Sequence, residues 1–565
     1  MSSLSVSAID RQAQLLDVPG GQCFLWYVDP SAVQELRSSP DIRSAAQRLV
    51  AANRGASIAL LESHDGAATS LTMWRGLLAT SELFYATLAD GSIVVSDHLR
   101  NVVSRVPVAD RAPTEEAIVE KYLCGWNYDR RVFCGGVQRL GYGDQFEFSA
   151  TTGAIELSVH DRHELVGDAA ALSGLADRIE AELDEVTRPW RSPGVAVTFS
   201  GGVDSTLLAS FFDDSATMLT MTIDSPEFDQ ETTYAYAAAE LLGRSITEHR
   251  VFERDYVDLL KTSTAVTAAP AKHYISPVLF SLDRRDDPVM IFGFGADSIF
   301  GTDRGLRRIA GYMSNSAGLA GLRAGGYLPS AVGFRSRQIR SYAEKFARPT
   351  DDPRGAAGSA LAFGDTAVVD ASAGSDAVDA VFDKHLDFVL DRVDIESPES
   401  DRFWRHTELV QWRDTMSDNT TVRRLAALSD GTHGVLPYTD ARVIEALLEA
   451  PADGRYIKGL AGKWVLKDIL AKRVPGYPVN QRKNATGLPF QRYVADGPLT
   501  GIWNQYDFPE FVDSQLANDV RANPSHVTWQ ALSHAVWLDE IGNNPSLVAH
   551  PTTHETALPI AGAPR

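Results

Sequence analysis

The sequence predicts an α/β protein: a doubly wound parallel sheet preceded by a smaller, strand-rich α+β domain. Between about residues 195 and 294, apolar β-rich runs take turns with amphipathic helical stretches, and such alternation builds parallel sheets with crossover helices on their faces. Before residue 165 the pattern differs, with short β-branched and aromatic runs separated by Asp-Gly turns, a hairpin signature. The length of 565 residues exceeds what one core normally fills, so two or three domains are expected.

Residues 1 to about 20 read as polar and unpatterned. Strand runs follow at Cys23-Phe-Leu-Trp-Tyr-Val, Ser57-Ile-Ala-Leu-Leu, Leu71-Thr-Met-Trp, Leu83-Phe-Tyr-Ala-Thr-Leu and Ser92-Ile-Val-Val-Ser, with turns at Asp65-Gly66 and Asp90-Gly91. A helix after Pro113 places Ile118, Val119, Tyr122 and Leu123 on one face, and residues 137 to 148 return to strand. The boundary falls near 165, giving domains at 1–165 and 166–545. An amphipathic helix from Ala176 to Val186 leads into strand Val195-Ala-Val-Thr-Phe. Strands at 218–223, 246–251 and 289–294 then alternate with helices at 229–242 and 256–267, so ligands are expected at the carboxyl ends of the strands. Residues 315 to 400, rich in Ala, Gly, Ser and Asp, read as mobile loop or insertion. Helices resume at 402–428, 440–448 and 462–471, and 546–565 reads as a loose tail.

Apolar content of 44% with 22% charged residues is ordinary for a soluble globular chain. A formal charge of −21 repels phosphate backbones and argues against nucleic acid as a partner. The three cysteines, Cys23, Cys124 and Cys134, lack metal-type spacing and read as reduced thiols. No apolar run reaches about eighteen residues and the start lacks a signal pattern, so a cytoplasmic protein with no membrane partner is expected.

The chemistry centres on Ser200-Gly201-Gly202-Val-Asp204-Ser205, which ends a strand and opens a helical stripe of Val203, Leu207, Leu208 and Phe211. Glycines allow close backbone approach, and the unpaired amides that open a helix favour a phosphate. The segment is not a Walker loop, because the Gly-Lys-Ser/Thr ending is absent. It resembles the pyrophosphate loop of ATP pyrophosphatases, the fold shared by asparagine synthetase and GMP synthetase. That resemblance implies cleavage of ATP to AMP and pyrophosphate through an acyl adenylate. Ser200, Gly201, Gly202, Asp204 and Ser205 would then cradle the phosphates, and Met221, Thr222 and Ile223 the adenine.

Further phrases follow in the family's order. Gly293-Phe294-Gly295-Ala296-Asp297 resembles the Gly-x-Gly-Ala/Ser-Asp segment of asparagine and β-lactam synthetases; it implies Gly295 beside the nucleotide, with Asp204 and Asp297 holding Mg2+. The bland alternative for Asp297 is a helix N-cap. Lys463, in Gly462-Lys-Trp-Val-Leu, and Lys483, in Asn480-Gln-Arg-Lys-Asn-Ala-Thr-Gly-Leu-Pro489, resemble the two family lysines. The resemblance gives Lys483 the pyrophosphate and the reacting carbonyl. Leu436-Pro-Tyr-Thr-Asp440 resembles a family phrase that serves packing.

Val137-Gln-Arg-Leu-Gly-Tyr-Gly resembles the phrase that closes the glutaminase-like, N-terminal-nucleophile-type domain of asparagine synthetase relatives. Working glutaminases of that kind carry cysteine directly after the initiator methionine; here the residue is Ser2, which implies a degenerate domain. Phe294 stands where the relatives carry glutamate or tyrosine, and Thr420 and Thr421 where β-lactam synthetase carries a distant glutamate. His273, Tyr274 and Glu408 are the remaining candidate bases. The implied enzyme joins a carboxylate to an amine of small-molecule or peptide substrates, as β-lactam synthetase or the lasso-peptide cyclases do. An ammonia-dependent synthetase and a non-catalytic nucleotide-binding scaffold are the alternatives. A biosynthetic partner protein and self-association stay open.

Overall fold

The structure, a computed structural model, describes residues 2–560 except 11, 29, 129, 165–166, 193, 226–228, 283–287, 302–368, 370–372, 395–418, 430, 459–460, 481–487, 513–516 and 518–524. Among the described residues no helix is long and apolar enough to cross a membrane.

Ten strands come first: β1 (Ser3–Ala8), β2 (Gln14–Val18), β3 (Gly21–Trp26), β4 (Ser57–His64), β5 (Ala67–Arg75), β6 (Phe84–Thr87), β7 (Ile93–Ser96), β8 (Gln138–Arg139), β9 (Asp144–Ser149) and β10 (Ile155–Val159). They form two sheets, one ordered β10-β9-β5-β4-β3-β2 and the other containing β1-β7-β6-β8. Two covered faces explain why the run Cys23–Trp26 within β3 is apolar throughout. Phe24 and Trp26 point between the sheets with Leu4, Val6, Met73, Val95 and Phe146, while Cys23 and Leu25 face an outer layer containing Val33, Leu36, Ile42 and Leu49. The other sheet is covered outside by Leu99, Val102, Phe133 and Trp537, so the layers run helix, sheet, sheet, helix. Residues 1 to 20 are therefore patterned after all: Ser-Leu-Ser-Val-Ser-Ala alternates serine with buried Leu4, Val6 and Ala8.

The short strand β11 (His163–Glu164) leads to the second region, which holds β12 (Val195–Thr198), β13 (Thr217–Ile223), β14 (Ile246–Val251) and β15 (Val289–Ile291), then β16 (Val393–Asp394) paired with β11, and β17 (His433–Val435). Five of these make a wholly parallel sheet ordered β14-β13-β12-β15-β17. Helices Val203–Ala209, Asp229–Leu241 and Tyr256–Thr267 supply the crossovers. One face packs Val195, Val197, Leu207, Leu208 and Phe211 against Ile179, Leu183 and Leu466, and each such buried side chain contributes roughly 2 kcal/mol. The other packs Leu219, Met290 and Phe292 against Ala427 and Leu436. A hairpin of β18 (Ile457–Lys458) and β19 (Ala461–Gly462) precedes the helix Trp464–Arg473.

Two further expectations are corrected. Within the stretch read as irregular, Ser375–Leu390 is a helix, because Val378, Val381, Phe382, Phe388 and Val389 recur at helical spacing and are buried. The tail is not loose: β20 (His554–Pro559) pairs antiparallel with β1, from Ser3 opposite Pro559 to Ala8 opposite His554. Without it β1 would be an edge strand with open amides and carbonyls. Leu558 and Ile560 also pack on the core between the sheets.

Candidate active site

Strand β12 lies at the centre of the parallel sheet, and its carboxyl end delivers Ser200–Ser205. Ser205 organises the turn: its Oγ accepts from the Ser200 amide (3.1 Å) and donates to the Gly202 carbonyl (3.2 Å). Gly201 has φ +70°, and a Cβ there would lie 2.3 Å from the Tyr234 carbonyl, so the position requires glycine twice over. Helix Val203–Ala209 follows directly, with Asp204 in its first turn.

At the end of β15, Gly295 (φ +91°) precedes the helix Ala296–Phe300. A Cβ on Gly295 would lie 2.4 Å from Thr439 Cγ2. Asp297 sits inside the first turn and no side chain caps this helix, so Asp297 is not the N-cap. Its carboxylate is largely exposed and meets Lys463 Nζ instead.

Lys463 follows β19 in a left-handed conformation (φ +51°), unusual for a residue with a Cβ and characteristic of functional sites. Its Nζ donates to Asp204 Oδ2 at 2.7 Å and also touches Asp297 Oδ1. Burial works against the ammonium, but the charges of Asp204 and Asp297 outweigh it and raise its pKa. Asp204 is shifted in the same direction, by a different balance. Burial raises its pKa, Lys463 opposes that and Asp297 reinforces it, leaving the carboxyl above its ordinary range. Asp204 Oδ1 is buried with no hydrogen-bond partner among the described residues.

Residues 204, 297 and 463 thus converge from three elements. Ile223 ends β13 beside a polar cleft of about 320 Å³ lined by Thr222, Ser225, Thr232, Tyr236, Glu248 and Arg250. Lys483 and Glu408 lie outside the described residues. Burial and the neighbouring Lys272 and Lys121 push His273 down to about 4, and Tyr274 stacks on Phe490; no described contact joins either to Asp204, Asp297 or Lys463. Three residues carry more than their sequence suggested. The Arg423 guanidinium lies 3.4 Å over the Phe294 ring, its pKa lowered by burial to about 9. Tyr438, read as packing, donates to the Asp204 carbonyl at 2.9 Å, and Tyr477 donates to the Gly201 carbonyl at 2.7 Å. Arg423 lies just two residues beyond Thr421 and supplies an ionisable group that neither Thr420 nor Thr421 has.

The family described as asparagine synthase matches residues 191–513, more than half of the chain. The chain belongs to the asparagine synthase family. Members of the asparagine synthase family are ATP-dependent ligases that form carbon–nitrogen bonds. The match begins just before β12 and takes in the glycine turn, Asp297 and both lysines; the two N-terminal sheets lie outside it. No curated protein matches the chain.

Proposed function

We propose that this asparagine synthase family protein is an amide synthetase that adenylates a carboxylate with ATP, releases pyrophosphate and passes the acyl group to an amine. The observation that carries this reading is the convergence of Asp204, Asp297 and Lys463 beside the Ser-Gly-Gly turn. A substrate carboxylate oxygen attacks the α-phosphorus, and the bond to the bridging oxygen breaks with its electron pair leaving on pyrophosphate. Lys463, and in the family's manner Lys483, neutralise that leaving charge. The amine nitrogen then attacks the acyl carbon, AMP departs with the carboxylate oxygen, and the nitrogen loses a proton. Ser200, Gly201, Gly202 and Ser205 would hold the phosphates, and Ile223 and Gly295 would flank the nucleoside.

Mg2+ fits the pair Asp204 and Asp297. The partnerless Asp204 Oδ1 is a hard oxygen donor, and two carboxylates suit a cation that takes its other ligands from phosphate and water. Among the described residues no group of three or more His, Cys, Asp or Glu could cage a metal alone. When bound, magnesium supplies charge neutralisation on the phosphates.

Ser2 in place of a nucleophilic cysteine supports a donor other than glutamine, and Phe294 supports an acceptor that differs from those of asparagine synthetase. A substrate's own amine, attacking within one molecule as in β-lactam synthetase or a lasso-peptide cyclase, satisfies the first; because Phe294, Thr420 and Thr421 also depart from the proton-moving pair of β-lactam synthetase, that amine would arrive already unprotonated. The buried thiols of Cys23, Cys124 and Cys134, none in a disulfide, support a reducing, cytoplasmic setting. The test is pyrophosphate release from magnesium ATP with candidate biosynthetic carboxylates, assayed with and without added ammonia and with product mass spectrometry. Release without amide formation under any condition would overturn the ligase reading, and an absolute need for ammonia would overturn the substrate-amine reading.

A further inference from the structure

We infer that Tyr477 is a positioning residue that fixes the Gly201–Gly202 peptide so that its N–H, not its carbonyl, is presented to pyrophosphate. The inference rests on the function proposed above. In a trans peptide the C=O and N–H of one unit point in opposite directions, so whatever holds the carbonyl aims the amide. The Gly201–Gly202 unit is free to turn, because two successive glycines tolerate φ of either sign. A turned unit would put a carbonyl dipole against the phosphates.

The only restraint that the described hydrogen bonds place on the Gly201 carbonyl is the Tyr477 hydroxyl, at 2.7 Å and half-buried. On the opposite side, the Gly202 amide makes one long contact, 3.4 Å to Ser200 Oγ at the exposed mouth of the turn, which leaves it available to a stronger acceptor. Tyr477 is itself held in a short turn. Its amide bonds the Val474 carbonyl at 3.1 Å, Gly476 has φ +89°, and Pro478 follows. Burial raises the phenol pKa, the neighbouring Thr206 side chain opposes that and the Asp204 charge adds to it, leaving it above its ordinary value, so the hydroxyl keeps its proton and donates.

The restraint is tied to the rest of the site. Tyr477 follows the helix Trp464–Arg473, which begins one residue after Lys463. The far end of that helix is fastened to the helix after the glycine turn, where Arg473 donates to the Ser210 carbonyl at 2.7 Å and to Ser210 Oγ at 2.9 Å. One element therefore carries both the lysine that meets Asp204 and the hydroxyl that orients the turn. Tyr438 gives a second brace on the Asp204 carbonyl, which lies within a helix and needs it less.

Calorimetric titration of wild type, Tyr477→Phe and Tyr438→Phe with magnesium pyrophosphate, magnesium ATP and adenosine tests this. Tyr477→Phe removes one oxygen and keeps the ring, so its melting curve should stay near that of wild type. The expected result is about fivefold to tenfold weaker pyrophosphate and ATP binding with adenosine unchanged, the size of one lost hydrogen bond, and about twofold for Tyr438→Phe. Equal pyrophosphate affinity in wild type and Tyr477→Phe would overturn the inference while leaving the synthetase reading intact, and an equal loss of adenosine would reduce Tyr477 to a packing role. A wild type that binds neither ATP nor pyrophosphate would overturn both.

Discussion

The parallel sheet and the N-terminal pair of sheets treat their buried carboxylates in opposite ways. At the mouth of the parallel sheet, Asp204 keeps a buried oxygen without a partner, Asp297 stays exposed and Lys463 is held left-handed between them. At the N-terminal sheets, groups that could have served chemistry are engaged. Asp10 takes the Arg424 guanidinium, the Tyr27 hydroxyl at 3.1 Å and the Gln12 amide at 2.9 Å. Asp97 takes the Ile9 amide, the Asp10 amide and the Trp26 indole. The β1 edge is closed by β20. The contrast is one of carboxylates: Asp204 keeps an open oxygen at the proposed ligand site, while Asp10 and Asp97 are fully engaged in holding structure, even though Thr72 Oγ1 and Arg75 Nε on β5 are also buried without a partner among the described residues. The two meet on one helix, Asn419–Ser429, where Arg424 reaches Asp10 and the Thr80 carbonyl while its neighbour Arg423 covers Phe294.

The largest test of this contrast is Asp204→Ala, which removes both the orphaned oxygen and the partner of Lys463. Pyrophosphate release should fall by about a thousandfold with the circular dichroism spectrum preserved; wild-type-like turnover would break the contrast at its functional end. Asp10→Ala should act on stability, because it leaves the Arg424 charge buried without its carboxylate. The expected loss is about 3 kcal/mol in denaturant unfolding, and a loss below about 1 kcal/mol would mean that the N-terminal network does not hold the helix.

The parallel sheet was legible in the sequence because its signals are local. Runs such as Val195–Thr198 and Thr217–Ile223 are read from their apolar and β-branched residues alone, and the glycine turn is a six-residue phrase. What escaped depends on distant partners. Nothing near Lys463 says that its ammonium will lie between residues 204 and 297, and nothing near His554 says that it closes an edge begun at Ser3. Tyr477 escaped because a tyrosine between two prolines reads as a turn. The helix Ser375–Leu390 was the avoidable miss, since its apolar spacing was present but masked by surrounding alanine and glycine.

A smaller effect sharpens the contrast through pH. Burial, helped by the Asp10 charge, raises Asp97 to about 6, while the three donors that it accepts and the nearby Arg424 favour its ionised form. His98, next in sequence, is buried and pushed well below its ordinary value, so it stays neutral here. A carboxyl whose folded pKa exceeds its unfolded value binds more protons when folded. Its contribution is therefore present at pH 4 and is lost as pH rises through about 6. Wild type should lose about 2 kcal/mol relative to Asp97→Asn between pH 4.5 and 6.5, measured by denaturant unfolding. The opposite slope would show that the three donors keep the carboxylate ionised. Asp10, whose pKa is lowered although burial opposes it, acts only below about pH 4, outside this window.

The smallest expected effect is that of Ser2→Cys. A thiol placed at this position would give glutaminase chemistry if the N-terminal region lacked only a nucleophile. The surroundings argue otherwise. Ser2 Oγ donates to the Asp90 carbonyl at 2.5 Å, its own carbonyl accepts from the Ile560 amide at 3.1 Å, and the strand that follows lies between β7 and β20. A nucleophile of this kind needs a free α-amine as base and room for an amide carbonyl beside it, and here backbone partners fix the hydroxyl and the carbonyl. Glutamine hydrolysis by Ser2→Cys, followed as glutamate release, should therefore stay at the level of wild type. A rate well above that background would show that the N-terminal region can hold a catalytic site despite its paired polar groups, and the contrast between the two regions would fall.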